Sequence, residues 1–163
     1  MKRTRRYPTA HKTTNDEEVI ENRQRAVRVE MRALQVFAGR VKEDLGLRRE
    51  SVAIRLVSDA EMARLNLTYR KKKGTTDVLS FPAEERHGPS NLRRQLSDAQ
   101  LGDIAISPVV AKRNARLYGR TLSEEIQILI LHGVLHLLGY DHETDHGEME
   151  QVEMRLRRRL GIA

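Results

Sequence analysis

Three histidines in the last third of the chain, His132, His136 and His142, have the type and spacing of a metal site. Helical positions four apart share one face about one turn from each other, so the imidazoles of His132 and His136 can reach one ion. Gly139 breaks that helix three residues on, and His142 follows on the returning chain. The run reads H-x-x-x-H-x-x-G-x-x-H. Three imidazoles close three corners of a tetrahedron and leave the fourth to water, the open position a catalytic zinc needs. Neutral nitrogen donors on an apolar helix suit zinc better than magnesium or calcium. A lone helical histidine is usually a satisfied core or surface group. Here four of six histidines fall within residues 132–146, and two sit in the most apolar segment of the chain, where unsatisfied imidazoles would be costly. The fourth, His146, is surplus to the tetrahedron and is expected on the surface of the last helix.

Metzincin proteases share this spacing, but a glutamate follows their first histidine as general base. This chain has Gly133 there, so a zinc metalloprotease is disfavoured. Glycine inside a helix costs about 1 kcal/mol relative to alanine. Its expected use is room, either for substrate beside the metal or for a closely packed backbone.

The elements that must position these residues follow from periodicity and capping. Val19 and Ile20 suggest a short strand. Leu34, Phe37, Val41 and Leu45 step by three or four, which predicts a helix over about 29–45 with Gly46 at its end. Val52, Ile54 and Leu56 alternate as in a half-buried strand. Ser58 and Glu61 have capping-box spacing and open a helix carrying Met62 and Leu65 inward. Strands are predicted for Thr75–Phe81 and Leu101–Ser107, with a polar loop over 84–100. Ser107-Pro108 is a helix start, with a hydroxyl at the N-cap and proline first in the helix. Thr121 and Glu124 form a second capping-box pair. The helix they open runs to about Leu138 and is apolar almost all round, so it belongs in the middle of the fold. An amphipathic helix over about 145–160 closes the chain. The mixed order predicts an α+β domain: a small mixed β-sheet packed against helices around one buried central helix carrying the metal ligands.

At this point the sequence resembles a known family. The run from His132 to His142, with Gly139-Tyr140-Asp141 before its last histidine, is similar to the signature of the YbeY family of bacterial metal-dependent endoribonucleases. Leu65-Asn66-Leu67-Thr68-Tyr69-Arg70, Thr76-Asp77-Val78-Leu79-Ser80-Phe81-Pro82 and Leu101-Gly102-Asp103-Ile104 extend the resemblance over about residues 18–160. It implies one Zn2+ per chain on His132, His136 and His142, and a catalytic arginine at Arg70. It also implies action on single-stranded RNA, in maturation of the 3′ end of the small-subunit ribosomal RNA (16S rRNA) and in ribosome quality control. Ribosomal proteins or an assembly GTPase are the protein partners it suggests. The loop Lys71-Lys72-Lys73-Gly74-Thr75 departs from the family, which commonly has an acidic residue and a proline before the threonine.

Arg70 also has an independent physical sense, since a guanidinium donates two parallel hydrogen bonds to a phosphate and stabilises charge building on it. Lys71, Lys72 and Lys73 extend that positive surface as candidate RNA contacts, and Arg64 is near enough in sequence to join them. Asp141 is the carboxylate nearest the ligands. It can orient His142, accept a proton, or only cap the turn. The nucleophile is either a zinc-activated water or the RNA 2′-hydroxyl. The alternative is a zinc-stabilised, non-catalytic ribosome-assembly factor binding RNA or protein, in which His146 or Asp141 fills the fourth corner.

Composition sets the outer limits. The chain has 163 residues, enough for one domain over 17–163 after a basic, disordered arm over 1–16. Lys and Arg number 30 against 23 Asp and Glu, a net charge of +7. The first fifteen residues hold five basic side chains and no acid, which leaves +2 for the remainder. A polyanion partner is allowed but not established by those figures. Asp141 to Glu153 contains six carboxylates and no Lys or Arg, so this stretch is expected to face away from RNA. With two Phe, four Tyr and no Trp, a base-stacking platform is poorly supported and weak sequence specificity is expected. The absence of cysteine excludes thiolate zinc, a thiol nucleophile and disulfides. No apolar stretch reaches the roughly 18–20 residues that cross a bilayer, and no signal-peptide h-region follows the basic start. A cytoplasmic protein with no membrane partner is the expectation.

Overall fold

The structure is a computed structural model in which residues 20–47, 51–83 and 100–162 are described. The basic arm and the 84–99 part of the polar loop lie outside them. Four strands, β1 (Ile20–Asn22), β2 (Ser51–Leu56), β3 (Val78–Pro82) and β4 (Gln100–Ile106), form one sheet in the order β1-β2-β4-β3. β1 and β4 run parallel to β2, and β3 runs antiparallel to β4. The sheet is therefore mixed, and β3 is an edge.

Five helices accompany it among the described residues: α1 (Met31–Asp44), α2 (Asp59–Arg70), α3 (Pro108–Leu117), α4 (Leu122–Leu137) and α5 (Glu148–Leu160). The expected α+β class is what forms. Alternation along the strands separates two apolar clusters. Ile54, Leu56, Ile104 and Ile106 join α1, α4 and α5 in the main core. Val57, Leu79 and Ala105 pack with Met62 and Leu65 of α2 in a smaller cluster that Phe81 borders.

α4 is the central helix. It packs against α1, α3, α5, β3 and β4, and Ile126, Ile130, Leu131 and Leu135 are fully buried, each worth roughly 1.5–3 kcal/mol of transfer free energy. Its start is the predicted capping box: Thr121 Oγ1 accepts from the Glu124 N–H, and the Glu124 carboxylate accepts from the Thr121 N–H. Those bonds to Thr121 hold the Glu124 carboxyl below the usual range. α3 begins as predicted too, with Ser107 Oγ accepting from the Val110 N–H and Pro108 first in the helix.

Boundaries shift where tertiary bonds outweigh local signals. β3 starts at Val78 rather than Thr75, because Asp77 is taken up by Val78 N–H, Asn114 and the Ser107 N–H. Pro82 closes β3 from inside it, which an edge strand tolerates. α5 begins at Glu148, not 145, because the Asp145 carboxylate accepts from Gly147 and Met149 N–H and holds a turn that ends at the N-cap Gly147, φ +91°. Ser58 caps α2 through the Glu61 N–H, while the Glu61 carboxylate reaches Arg23 at 3.8 Å.

Candidate metal centre and RNA cleft

α4 carries His132 and His136 one turn apart near its C-terminus. Gly139 then turns the chain at φ +97°, a conformation that favours glycine. The return delivers His142. One nitrogen from each ring falls within 4.8 Å of the other two, and among the described residues they form a group of possible ligands. His132 and His136 are half-buried and His142 is exposed, so the group opens to solvent on one side.

The fit to an ion rests on the nitrogens themselves. The Nε2 atoms of His132 and His136 are 3.1 Å apart, close to the ~3.3 Å that separates two nitrogens at about 2.0–2.1 Å from one tetrahedral zinc. His132 Nδ1–H donates to Glu153 Oε2 at 3.0 Å. A carboxylate only accepts, so the proton sits on Nδ1 and the Nε2 lone pair points into the cluster. Burial first, then His132 and His142, pushes the His136 pKa below the ordinary histidine range, which favours the neutral, ligating form. His132, His136 and His142 can hold a metal.

Glu153 escaped the sequence reading. The acidic stretch was expected to face away from the site, and this member of it instead buttresses a ligand. It sits on α5, 21 residues from His132, and Arg157 approaches its other oxygen at 3.7 Å. Only the packing of α5 on α4 makes that pair. His146 is exposed, as expected, but lies in the turn before α5 rather than on the helix. Asp141 serves the turn: its carboxylate accepts from the Glu143 N–H at 3.0 Å, and its carbonyl from Thr144 and Asp145.

Gly133 is explained by packing. A Cβ there would lie 2.9 Å from Ile104 Cδ1, and Ser80 Oγ donates to the Gly133 carbonyl at 3.1 Å. Of its two expected uses, the close backbone is the one present. It lets α4 sit tightly on β3 and β4, which brings the histidines up to the sheet edge.

A cleft of about 960 Å³ follows β3 along its length, with the three histidines on one wall. Arg70 lines it from the last residue of α2. Its setting is local: Lys71 caps the helix with φ 58°, the Asn66 carbonyl accepts from the Lys71 and Lys72 N–H groups, and Asn66 Nδ2 donates to the Gly74 carbonyl. Lys71, Lys72 and Lys73 are exposed on this turn but do not line the cleft, and neither does Arg64. Arg55 and Asp103 line it from the sheet. Few as the aromatics are, Tyr69 and Phe81 both line the cleft, in edge-to-face contact at 4.9 Å.

Fold and site together define an α+β protein with a three-histidine group able to hold a metal, in an open cleft that an arginine also lines. Comparison with known proteins says which one. Residues 10–161 match the family model for endoribonuclease YbeY, and the chain belongs to that family. It is 42% identical over 134 residues to the endoribonuclease YbeY of Koribacter versatilis, covering 82% of this chain and 80% of that one. With the endoribonuclease YbeY of Solibacter usitatus it shares 50% identity over 107 residues, 66% of this chain and 64% of that protein's length. The solution structure of TM1509 from Thermotoga maritima superposes with a TM-score of 0.57 at 26% identity, covering 87% of this chain and 89% of that one. No helix among the described residues is long and apolar enough to cross a membrane.

Proposed function

We propose that this protein is a zinc-dependent endoribonuclease acting on single-stranded RNA, with residues 17–163 working as one domain. His132, His136 and His142 hold the ion and Arg70 holds the scissile phosphate. The observation that carries the reading is a three-nitrogen group left open on the side facing a cleft that Arg70 also lines. Zinc bound there supplies Lewis acidity toward a phosphate oxygen. Arg70 donates to the phosphate and stabilises the charge that builds on it. Glu153 keeps the His132 proton on Nδ1. Lys71, Lys72 and Lys73 draw the polymer toward the cleft mouth, a contribution that weakens with salt.

The physiological target we assign is the 3′ end of the small-subunit ribosomal RNA, in the cytoplasm and with ribosomal proteins or an assembly GTPase as partners, as the YbeY resemblance implies. The rival reading, a non-catalytic assembly factor with a structural zinc, needs a fourth protein ligand. Among the described residues His146 is not part of the group and the Asp141 carboxylate is engaged by its own turn, which favours the enzyme.

The test is cleavage of an end-labelled single-stranded RNA by wild type and His136→Ala, purified identically, with zinc content measured on both. Wild type is expected to carry one zinc and cut. The variant should lose the metal and about 10³-fold or more in rate. Equal cutting by both would expose a contaminating nuclease, and none by either would transfer the assignment to the assembly factor.

A further inference from the structure

The Tyr69–Phe81 ring pair has no part in holding the metal or the phosphate, yet it occupies the cleft. Tyr69 is 47% exposed and meets Phe81 edge to face. Phe81 is itself fixed against the α2 cluster. A ring held in a T-shaped contact and still 47% exposed is restrained and keeps surface for another π-system. The sheet register sets Phe81 opposite Asp103 on β4, and Arg55 on β2 opposite Ala105, one diagonal step from Asp103. Asp103 and Arg55 are near enough for the guanidinium charge to act on the carboxylate. The α2 face of the sheet therefore presents to the cleft an aromatic ring, a carboxylate and a guanidinium side by side.

We infer that Tyr69, Phe81 and Asp103 form a nucleobase subsite that takes guanine, an inference that rests on the ribonuclease reading above. Every base has a π-face, so stacking on Tyr69 supplies affinity without selectivity. Selectivity comes from Asp103. An ionised carboxylate only accepts, and guanine alone presents two adjacent N–H donors, N1–H and N2–H, which one carboxylate can take together. Adenine and cytosine offer a single exocyclic amine, and uracil a single ring N–H. Guanine O6, beside N1, is an acceptor that suits the positive Arg55. Tyr69 and Arg70 both line the cleft from the end of α2, so the base and a phosphate of one RNA strand can be met from the same helix.

The test is a chemical-shift titration of the zinc-loaded full chain with GMP, AMP, CMP and UMP. All four share the sugar and phosphate, so differences among them report the base. Wild type should bind GMP most tightly. Tyr69→Leu should weaken GMP roughly five- to hundredfold, and Asp103→Asn should level the four nucleotides, with the amide spectrum showing that both variants keep the fold. Equal affinities for the four in wild type, or an unchanged GMP affinity in Tyr69→Leu, would overturn the subsite. RNA cleavage is scored separately on the same preparation. GMP selectivity without cleavage upholds the subsite and sinks the nuclease, and cleavage without selectivity does the reverse.

Discussion

On the histidine wall of the cleft each candidate ligand arrives with support: His132 is tied to Glu153, His136 is half-buried near the end of the central helix, and the turn around His142 is stitched by Asp141 and Asp145. Arg70 lines a second wall from a helix end, and the three lysines are exposed beside the cleft on the turn after it. The two walls answer different demands. A metal requires nitrogens at fixed distances, so its wall is pre-organised by neighbours whose own positions are locked. A polymer must enter, slide and leave, and long cationic side chains follow phosphates without a single fixed geometry. Preorganisation costs little on the first wall because α4 is already immobilised by the core.

Removing Arg70 should separate the walls most sharply. Arg70→Ala is expected to lower the cleavage rate about 10²–10³-fold while the zinc content stays at the wild-type level, because Arg70 is not one of the three candidate ligands. Rate constants under single-turnover conditions and metal analysis of the same sample check this. A variant that loses zinc as well would show that the two walls are coupled rather than independent.

The next largest effect belongs to the other wall. Glu153→Gln keeps the shape of the side chain but removes the charge that fixes the His132 proton. Zinc affinity should fall roughly 10–100-fold, read by competition with a chelator, and cleavage should recover when zinc is added in excess. Unchanged affinity would mean that the 3.0 Å contact holds α5 in place and does nothing for the metal.

What could be read before the fold was known follows the same division. The His132–His136 spacing, the Thr121–Glu124 box and the Ser107-Pro108 start are local: each is fixed within one or two helical turns, so the sequence carries it in full. Glu153 was illegible because its partner lies a whole helix away, and an acid-rich stretch looks the same whether it faces solvent or a ligand. Gly133 had two readings until Ile104 came up against it. That Tyr69 and Phe81 meet in the cleft could not be read from a count of aromatics, because α2 and β3 bring them together only in the fold. The edge position of β3, which opens the cleft, is set by sheet order and leaves no periodic trace.

The smallest effect is one of stability, and it tests whether the substrate wall is shaped by use. Burial raises the Asp103 pKa, and the attraction of Arg55 only partly opposes this. Its ionised form is therefore disfavoured in the folded protein relative to the unfolded chain. Above the folded pKa both states are ionised and the penalty is present in full. As pH falls through that raised value the folded protein takes up the proton first, and the penalty disappears by about pH 4, where the unfolded aspartate also protonates. Asp103→Asn removes the ionisation, so the variant should melt slightly above wild type at pH 7, with the gap closing as the pH approaches 4. Thermal melts at the two pH values measure it. A carboxylate kept at some expense of stability, in a cleft and opposite Phe81, fits the base-reading role proposed above. If Asp103→Asn instead melts lower at pH 7, the attraction of Arg55 outweighs burial, and the carboxylate is a strut of the sheet rather than a reader of bases.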